Sequence, residues 1–271
     1  MKPIYVKLSM TIHNNDPQLA DLAEAAGQLA ENDFWGIEPD IRDPSQINAQ
    51  RLAEIVSDYG LHIPALATGR GFALDGLSLS DPDPTKRRRA IDLLHRHIDL
   101  AAQLETDVIV GLLRGVRADS DPLEECLSRL ADSLKVCGSY AAQKGCKIFF
   151  EAINRQETNI ANTATQAASL IAAAGSAELL LLLDTYHLDQ EENSIADVLK
   201  EHVSILGHFH LADRNRAVPG TAGIDFATIV TTLLALGYDA AFTVEIPLKP
   251  DMPSCVRQVR QQLNSMGIYS A

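Results

Sequence analysis

The sequence predicts a single (β/α)8 barrel domain spanning residues 1–271. Short apolar runs alternate with longer segments of helical period, and there are eight of each. Apolar strands that alternate with helices are typical of a parallel sheet covered by helices. An open sheet of this kind usually binds a nucleotide through a glycine-rich first turn, but residues 9–15 contain no glycine. Closure into a barrel is therefore favoured.

The predicted strands follow one another in order, each with a helix after it. Residues 86–104 are typical of the helices, because Ile91 and Leu94 share one face. Pro84 precedes this helix and Gly145 follows the next, as expected where helices begin and end. The eight predicted strands are residues 4–8, 34–38, 63–67, 108–112, 147–152, 179–183, 205–211 and 241–246.

Composition narrows the possible partners. The formal net charge of −13 argues against nucleic acid and against an anionic membrane surface, because both are negatively charged themselves. The most apolar window, residues 167–183, is shorter than a bilayer span and contains Gly175 and Glu178. We therefore predict no membrane segment.

The N-terminus and the cysteines predict a cytoplasmic protein. The first apolar run is broken by Lys7 and followed by polar residues, which is not the pattern of a signal peptide. The four cysteines lack CxxC spacing, and disulfide frameworks belong to smaller secreted chains. We expect reduced packing residues at Cys126, Cys137, Cys146 and Cys255.

Polar residues stand at the ends of the last four predicted strands. These residues are Glu151, Asp184, His210 and Glu245. The carboxyl ends of barrel strands meet at one mouth, where these groups could share a divalent cation. Oxygen ligands with one nitrogen suit Mn²⁺, Mg²⁺ or Co²⁺ better than a thiolate zinc site. The alternative, in which each acid caps a helix or pairs with an arginine, is weaker for four consecutive strands.

The motifs around these residues carry a resemblance to a known family. They are EAINRQETNIANT from Glu151, DTYH from Asp184, HLADRNRAVPG from His210 and FTVE ending at Glu245. Together they resemble the sugar isomerase and epimerase family of xylose-isomerase-like TIM barrels, in its ketose 3-epimerase branch. The segments RDPS, DGLSLSDP and GLLRG are similar in particular to 5-keto-L-gluconate epimerases.

The resemblance implies a function and a site. One divalent metal, commonly manganese, would be held by the counterparts of Glu151, Asp184, His210 and Glu245. The counterparts of Glu151 and Glu245 would also be the two acid/base residues. Substrate oxygens would be contacted by the positions matching His187, Arg216 and Glu157. Related barrels often form homodimers or homotetramers.

The implied reaction is chemically reasonable for such a site. Inverting a carbon beside a carbonyl removes a poorly acidic C–H proton, and a metal stabilises the resulting enediolate as a Lewis acid. Strands five and eight lie well apart around the ring, so Glu151 and Glu245 could deprotonate one face and protonate the other. We therefore predict an epimerase of a free ketose or keto sugar acid, such as 5-keto-L-gluconate or a D-tagatose or D-fructose type ketose.

Three arginines follow strands two, three and four, at Arg42, Arg70 and Arg114. Each alone is typical of a loop residue or an ion-pair partner. Together they could form a carboxylate-binding side of the mouth, because arginine binds carboxylates bidentately. Such a side would favour a sugar acid over a neutral ketose.

Two histidines receive weaker assignments. His208 is assigned to the strand face opposite His210, toward the helices, as a buried or interfacial residue. His13 follows the first strand, and a position at the mouth and a position in a loop are both open.

Other functions remain as alternatives. Hydroxypyruvate isomerase and inosose dehydratase resemble this chain in fold and metal ligands, although the pair Asn215 and Arg216 favours the epimerase branch. A DNA-repair endonuclease needs extra histidines where this chain offers Glu38, Thr68 and Leu112. A non-catalytic sugar-binding barrel would bind metal and ligand without exchanging substrate C–H hydrogen.

Overall fold

The computed structural model describes residues 3–271 and contains a closed barrel of eight parallel strands. The strands are β1 Ile4–Val6, β2 Leu8–Asn14, β3 Gly36–Ile41, β4 Ala65–Ala67, β5 Asp107–Val110, β6 Ile148–Glu151, β7 Leu179–Asp184, β8 Leu206–Leu211, β9 Phe242–Val244 and β10 Ile268–Ser270. Strands β2 to β9 pair in chain order, and β9 pairs with β2 to close the ring. The predicted (β/α)8 fold class is confirmed.

Helices surround the barrel and follow its strands. They are α1 Ala20–Glu31, α2 Ala49–Asp58, α3 Arg70–Asp75, α4 Pro84–Gln103, α5 Leu123–Lys144, α6 Ala164–Ala174, α7 Thr185–Glu191, α8 Ile195–His202, α9 Phe226–Ala235 and α10 Met252–Ser265. The short helices α3 and α7 precede α4 and α8 and were not predicted. Helix α4 begins where its cap predicts, because the Asp83 side chain accepts from the Thr85 amide at 2.8 Å. Gly145 ends α5 in the left-handed region, at φ 76°.

The first two predicted strands require a correction. Residues 4–8 were assigned to the barrel, but β1 pairs in parallel with β10, outside it, and the first barrel strand is β2. The second strand covers Gly36–Ile41 rather than residues 34–38. Both apolar runs fit a strand locally, and only the pairing with distant strands decides which residues enter the ring. The shift places Glu38 inside β3 instead of at its end.

The barrel interior has an apolar side and a polar side. Along β2, Leu8, Met10 and Ile12 pack in the core between barrel and helices, while the alternate residues face inward. The interior apolar cluster comes from β4 to β7 and consists of Ala65, Ala67, Ile109, Phe149 and Leu182. The polar side comes from β2, β3, β8 and β9, with Ser9, Thr11, Glu38, His208, His210 and Thr243 all buried. Polar groups therefore fill the interior below the mouth.

Two further expectations concern the chain as a whole. None of the helices within residues 3–271 combines the length and apolarity required to cross a bilayer. The four cysteines are buried and free, in agreement with their predicted packing role. Met1 and Lys2, which belong to the segment predicted not to be a signal peptide, lie outside the described residues.

Candidate active site

The strand ends bring the four predicted metal ligands together. Glu151 ends β6, Asp184 ends β7, His210 lies in β8 and Glu245 directly follows β9. Asp184 and His210 are direct partners in the register of their strands. One ligand atom from each of the four residues lies within 4.8 Å of the others. The structure thus assembles the predicted group, and the role of each residue as a ligand remains a prediction.

Local contacts hold Glu151 and Asp184 in place. One Asp184 oxygen accepts from the Tyr186 amide at 2.8 Å and caps α7, which leaves the second oxygen for the site. The main-chain carbonyl of Glu151 accepts a hydrogen bond from Arg114. A glycine is needed beside the Glu151 carboxylate, because a Cβ on Gly111 would lie 2.8 Å from its Oε2. Both carboxylates are buried, so these contacts fix their orientation.

Arg216 places a cation among the carboxylates. Its Nη1 forms ion pairs with Asp184 and, at 2.9 Å, with Glu245 Oε2. Its Nη2 lies 2.9 Å from His187 Nε2, and its guanidinium packs over the Tyr186 ring at 4.5 Å. Arg216 adopts a left-handed conformation, with φ 56°, as does the preceding Asn215. Asparagine adopts this conformation readily, but it is unfavourable for arginine, so the contacts of Arg216 must hold this turn over the mouth.

The two predicted acid/base residues differ in protonation. Burial, and then the charge of Glu245, raise the pKa of Glu151 to about 8. Burial opposes ionisation of Glu245 as well, yet Arg216 and His210 hold the pKa of Glu245 well below its usual range. At neutral pH, Glu151 therefore favours the protonated form and Glu245 the ionised form. Two carboxyl groups whose pKa values differ in this way can serve as an acid and a base in one site.

The remaining predicted substrate residues lie beside this pair. His187 is buried, and its Nε2 lies 3.6 Å from Glu151 Oε1. Burial and the Arg216 charge lower the pKa of His187 well below its usual value, so its ring is neutral. Glu157 Oε1 lies 3.9 Å from Arg216 Nη2. These residues line one cavity of about 200 Å³, whose size suits a small molecule.

The three predicted arginines do not lie together. Arg70 lines the cavity, and its guanidinium donates to the Asn14 carbonyl at 3.0 Å. Arg42 is paired with Asp75, Nε to Oδ2 3.0 Å, and does not line this cavity; it lines a neighbouring cavity of about 510 Å³, which Arg70 also lines. Arg114 is fully buried and donates to main-chain carbonyls, including that of Gly111 at 3.0 Å. Of the three arginines of the predicted carboxylate-binding side, Arg70 alone lines this cavity.

The assignment of His208 to the helix-facing side was wrong. Residues two apart on a strand lie on the same face, so His208 points into the barrel like His210. Its Nε2 lies 2.7 Å from Glu38 Oε2, and its ring stacks on Phe149 with 5.4 Å between ring centroids. The same carboxylate approaches the second ring, since Glu38 Oε1 lies 3.3 Å from His210 Nε2. The alternation of polar residues along β8 was visible in the sequence.

Glu38 is the main residue that sequence reasoning missed. It is fully buried, and its Oε1 also accepts from the Thr11 hydroxyl at 2.8 Å. Burial opposes its ionisation, but the charges of His210 and His208 and the hydrogen bond from His208 lower the pKa of Glu38 to about 2. Glu38, His208 and His210 also form a second group whose ligand atoms are close enough for a metal ion. The 2.7 Å contact between His208 and Glu38 instead fits a hydrogen-bonded support beneath His210.

His13 and Asp40 are two further polar residues of the cavity. His13 Nδ1 lies 2.6 Å from Asp40 Oδ2, and both side chains line the cavity. The hydrogen bond to Asp40 raises the pKa of His13. Of the two positions that the sequence left open for His13, the structure has the one at the mouth of the barrel. An observable signal was the pair of acidic residues, Glu38 and Asp40, two apart in an otherwise apolar strand.

The four-residue group fits a divalent cation. Within residues 3–271, Glu151 Oε1 and His210 Nδ1 are buried without a hydrogen-bond partner. Buried polar atoms of this kind normally have partners, and a cation would provide one for both. His210 Nδ1 lies 3.4 Å from Glu245 Oε2 and 3.9 Å from Glu151 Oε1, so this nitrogen faces the carboxylates. Three carboxylates and one imidazole are a suitable donor set for a hard divalent ion.

Comparison with known proteins gives several epimerases among the relatives. An L-ribulose 3-epimerase from Mesorhizobium japonicum is 29% identical over 222 residues, which cover 81% of this chain and 73% of the relative. A 3-dehydro-D-guloside 4-epimerase from Escherichia coli is 30% identical over 125 residues, 46% of this chain and 48% of the relative. The solved structure of an L-ribulose 3-epimerase has a TM-score of 0.84 at 25% identity and covers 98% of this chain and 94% of that chain.

These relatives carry epimerase names, in agreement with the predicted enzyme class. Residues 20–265 match the family described as xylose isomerase-like TIM barrel. This match includes barrel strands β3 to β9 and all four residues of the candidate metal group. Because it extends over most of the barrel, the chain belongs to the xylose isomerase-like TIM barrel family.

Proposed function

We propose that this protein is a divalent-metal-dependent carbohydrate epimerase that inverts a carbon beside the carbonyl of a free ketose or keto sugar acid. The observation that carries the proposal is the pair Glu151 and Glu245. Both line one cavity, on strands separated by β7 and β8, so the two carboxyl groups can approach a bound substrate from different sides. Two-sided proton transfer needs one acid and one base held in this way.

Glu151, Asp184, His210 and Glu245 would hold the metal ion. Their oxygen-rich set favours Mn²⁺, with Mg²⁺ or Co²⁺ as alternatives. A cation bound there would act as a Lewis acid toward negative charge that develops on the substrate carbonyl oxygen.

The two glutamates would move the protons. Ionised Glu245 accepts the proton from the carbon beside the carbonyl, and protonated Glu151 delivers a proton to the opposite face of the same carbon. The return reaction exchanges their roles. Burial of the Glu151 carboxyl limits exchange of its proton with bulk water during this step.

Arg216, His187 and Glu157 would bind substrate oxygens. Arg216 and neutral His187 lie next to both glutamates, so they can orient hydroxyl or carbonyl groups between them. Arg70 is the one arginine of the predicted carboxylate-binding side that lines this cavity. It would bind the carboxylate if the substrate is a sugar acid such as 5-keto-L-gluconate.

The names of the relatives support a choice between two positions of inversion. An L-ribulose 3-epimerase is the better-covered relative, so 3-epimerisation of a ketose is the primary candidate. Because another relative is a 4-epimerase, inversion at the neighbouring carbon is the second reaction to test. A cytoplasmic location and a homodimer or homotetramer are also part of the proposal, and light scattering of the purified protein tests the oligomer.

Epimerisation in D₂O tests the proposed reaction. Protein loaded with Mn²⁺ is incubated with 5-keto-L-gluconate and a panel of ketopentoses and ketohexoses, and the products are analysed by NMR. We expect a second epimer with deuterium at the inverted carbon. Isomerisation of hydroxypyruvate or dehydration of an inosose would favour the alternative enzymes. Binding without deuterium uptake across the panel would indicate a sugar-binding barrel and refute the proposed reaction.

A further inference from the structure

The cavity has a polar wall that the proposed proton transfer does not use. His13 and Asp40 are direct partners in the register of β2 and β3, and their side chains are hydrogen-bonded. In the ring of eight strands, β2 lies opposite β6 and β3 opposite β7. The pair therefore faces Glu151 across the same cavity.

Asp40 has an oxygen without a partner. The residue is 5% exposed, and its Oδ2 is bound to His13, but its Oδ1 has no hydrogen-bond partner within residues 3–271. A buried carboxylate oxygen is costly unless it accepts a hydrogen bond. His13 is more than half exposed, so the ring has no need of Asp40 to satisfy a buried nitrogen. A purely structural ion pair does not account for the unused oxygen.

We propose that His13 and Asp40 form a hydroxyl-binding subsite for the end of the substrate remote from the reacting carbonyl. Asp40 Oδ1 accepts a hydrogen bond from a substrate hydroxyl, and Nε2 of the His13 ring forms a second hydrogen bond to the same end. The inference rests on the proposed function and deepens it by naming the substrate class. The substrate is a sugar with a free hydroxyl beyond the carbons between the two glutamates.

This subsite separates candidate substrates by their chemistry. Hydroxypyruvate has no hydroxyl beyond its reacting carbons, so it cannot use Asp40. A carboxylate placed directly against Asp40 would be repelled, so an acidic group of a sugar acid would have to lie toward Arg70 instead. A neutral ketohexose can place its reacting carbons beside Glu151 and Glu245 and a hydroxyl of its far end against Asp40. The structure therefore favours a sugar whose polyol chain extends beyond the reacting carbons.

A cycle of enzyme and substrate variants tests the subsite. Wild-type protein and Asp40→Ala are each assayed with a ketohexose that wild type turns over and with its 5-deoxy and 6-deoxy analogues. We expect one analogue to lose about tenfold or more in kcat/KM with wild type, as for a hydrogen bond to a charged group. Asp40→Ala should lose a similar factor on the parent sugar and show no further loss on that analogue.

Controls keep the outcomes distinct. Asp58→Ala removes an exposed carboxylate at the end of α2 and should keep the wild-type preference. Asp40→Asn replaces Asp40→Ala if thermal unfolding shows that the alanine variant does not fold. The subsite would be overturned if wild type gave equal kcat/KM values for the parent sugar and both analogues. It would also be overturned if the ratio of these values were the same in the Asp40 variant as in wild type.

The proposed function can fail separately. If metal-loaded wild type epimerises no ketose, the same cycle is measured as binding by calorimetry. The subsite would still be supported if wild type bound a deoxy analogue more weakly than the parent sugar and Asp40→Ala bound the two sugars equally. Equal binding of all the sugars, or no binding, would overturn it.

Discussion

Replacing Glu38 by glutamine should weaken metal binding without removing any proposed ligand. Glu38 presents one oxygen to each of two imidazoles, Oε2 to His208 at 2.7 Å and Oε1 to His210 at 3.3 Å. A carboxylate can accept from both rings. The amide of glutamine has a single acceptor oxygen, and its NH₂ group is a donor. One of the two rings must then face a donor and carry its proton on Nδ1.

The size of the effect follows from which nitrogen faces the carboxylates. His210 Nδ1 lies 3.4 Å from Glu245 Oε2, so a proton on this atom would block its use as a ligand. Groups that orient a metal-binding histidine typically contribute about 10- to 100-fold in metal affinity. We expect a loss in this range for Glu38→Gln, or about 1.4 to 2.8 kcal/mol at 1.4 kcal/mol per tenfold.

Calorimetric titration of chelator-treated protein with Mn²⁺ measures this loss. Thr11→Val is the matched control, because it removes the neutral donor to Glu38 Oε1 but leaves both imidazole contacts, and its affinity should stay near wild type. Nitrogen-15 NMR of the imidazoles should show cationic His210 in metal-free wild type near neutral pH, because burial disfavours the charged ring but Glu38 and Glu245 outweigh it and raise the pKa of His210 well above its usual value. Metal-free Glu38→Gln should show a larger neutral population of the His210 ring.

Two results would refute the reasoning. Glu38→Gln could bind Mn²⁺ as tightly as wild type while remaining folded, which would remove Glu38 from any role in orienting His210. A stoichiometry of two ions in wild type and one in Glu38→Gln would instead make Glu38, His208 and His210 a second metal site.

Three further predictions follow from the same contacts. Glu245→Gln should lower kcat by about 10²-fold or more, since it removes the proposed base, and steady-state kinetics on the sugar that wild type turns over measures it; near-normal turnover would exclude Glu245 from proton transfer. Gly111→Ala should lower kcat about tenfold or more in a folded protein, because its Cβ would lie 2.8 Å from Glu151 Oε2; unchanged kinetics would show that the carboxylate has room to move. The thiol of Cys137, whose pKa burial raises to about 12, should stay protonated and unmodified by iodoacetamide at pH 8 until the protein unfolds; mass spectrometry of native and urea-treated protein decides this, and rapid native labelling would contradict it.

The sequence predicted the parts of the site that depend on local pattern. Glu151, Asp184 and His210 each end or lie in a single apolar run, and parallel strands carry such residues to one mouth whatever the details of packing. Their assembly required only the correct number and order of strands. The early part of the barrel was less predictable, because pairing with β3 and β9 decides where β2 begins, and these partners are distant in sequence.

The arginines show why side-chain partners escape sequence reasoning. Arg114 donates to the carbonyls of Ile160 and Ala161, more than forty residues away, as well as to Gly111 nearby. Nothing in the local pattern distinguishes such a buried guanidinium from one that faces solvent. His208 is different, because strand alternation was sufficient to place it beside His210 and the error lay in applying the period.

The division of the cavity between strand sets has an evolutionary consequence. The residues proposed for proton transfer and metal binding come from β6 to β9, whereas the proposed hydroxyl subsite comes from β2 and β3. Mutations at His13 and Asp40 can therefore alter which sugar is accepted, provided that Glu38, which supports His210 from β3, is retained. Chimeras that exchange residues 8–41 between relatives and keep Glu38 offer a direct route to new specificities on one catalytic frame.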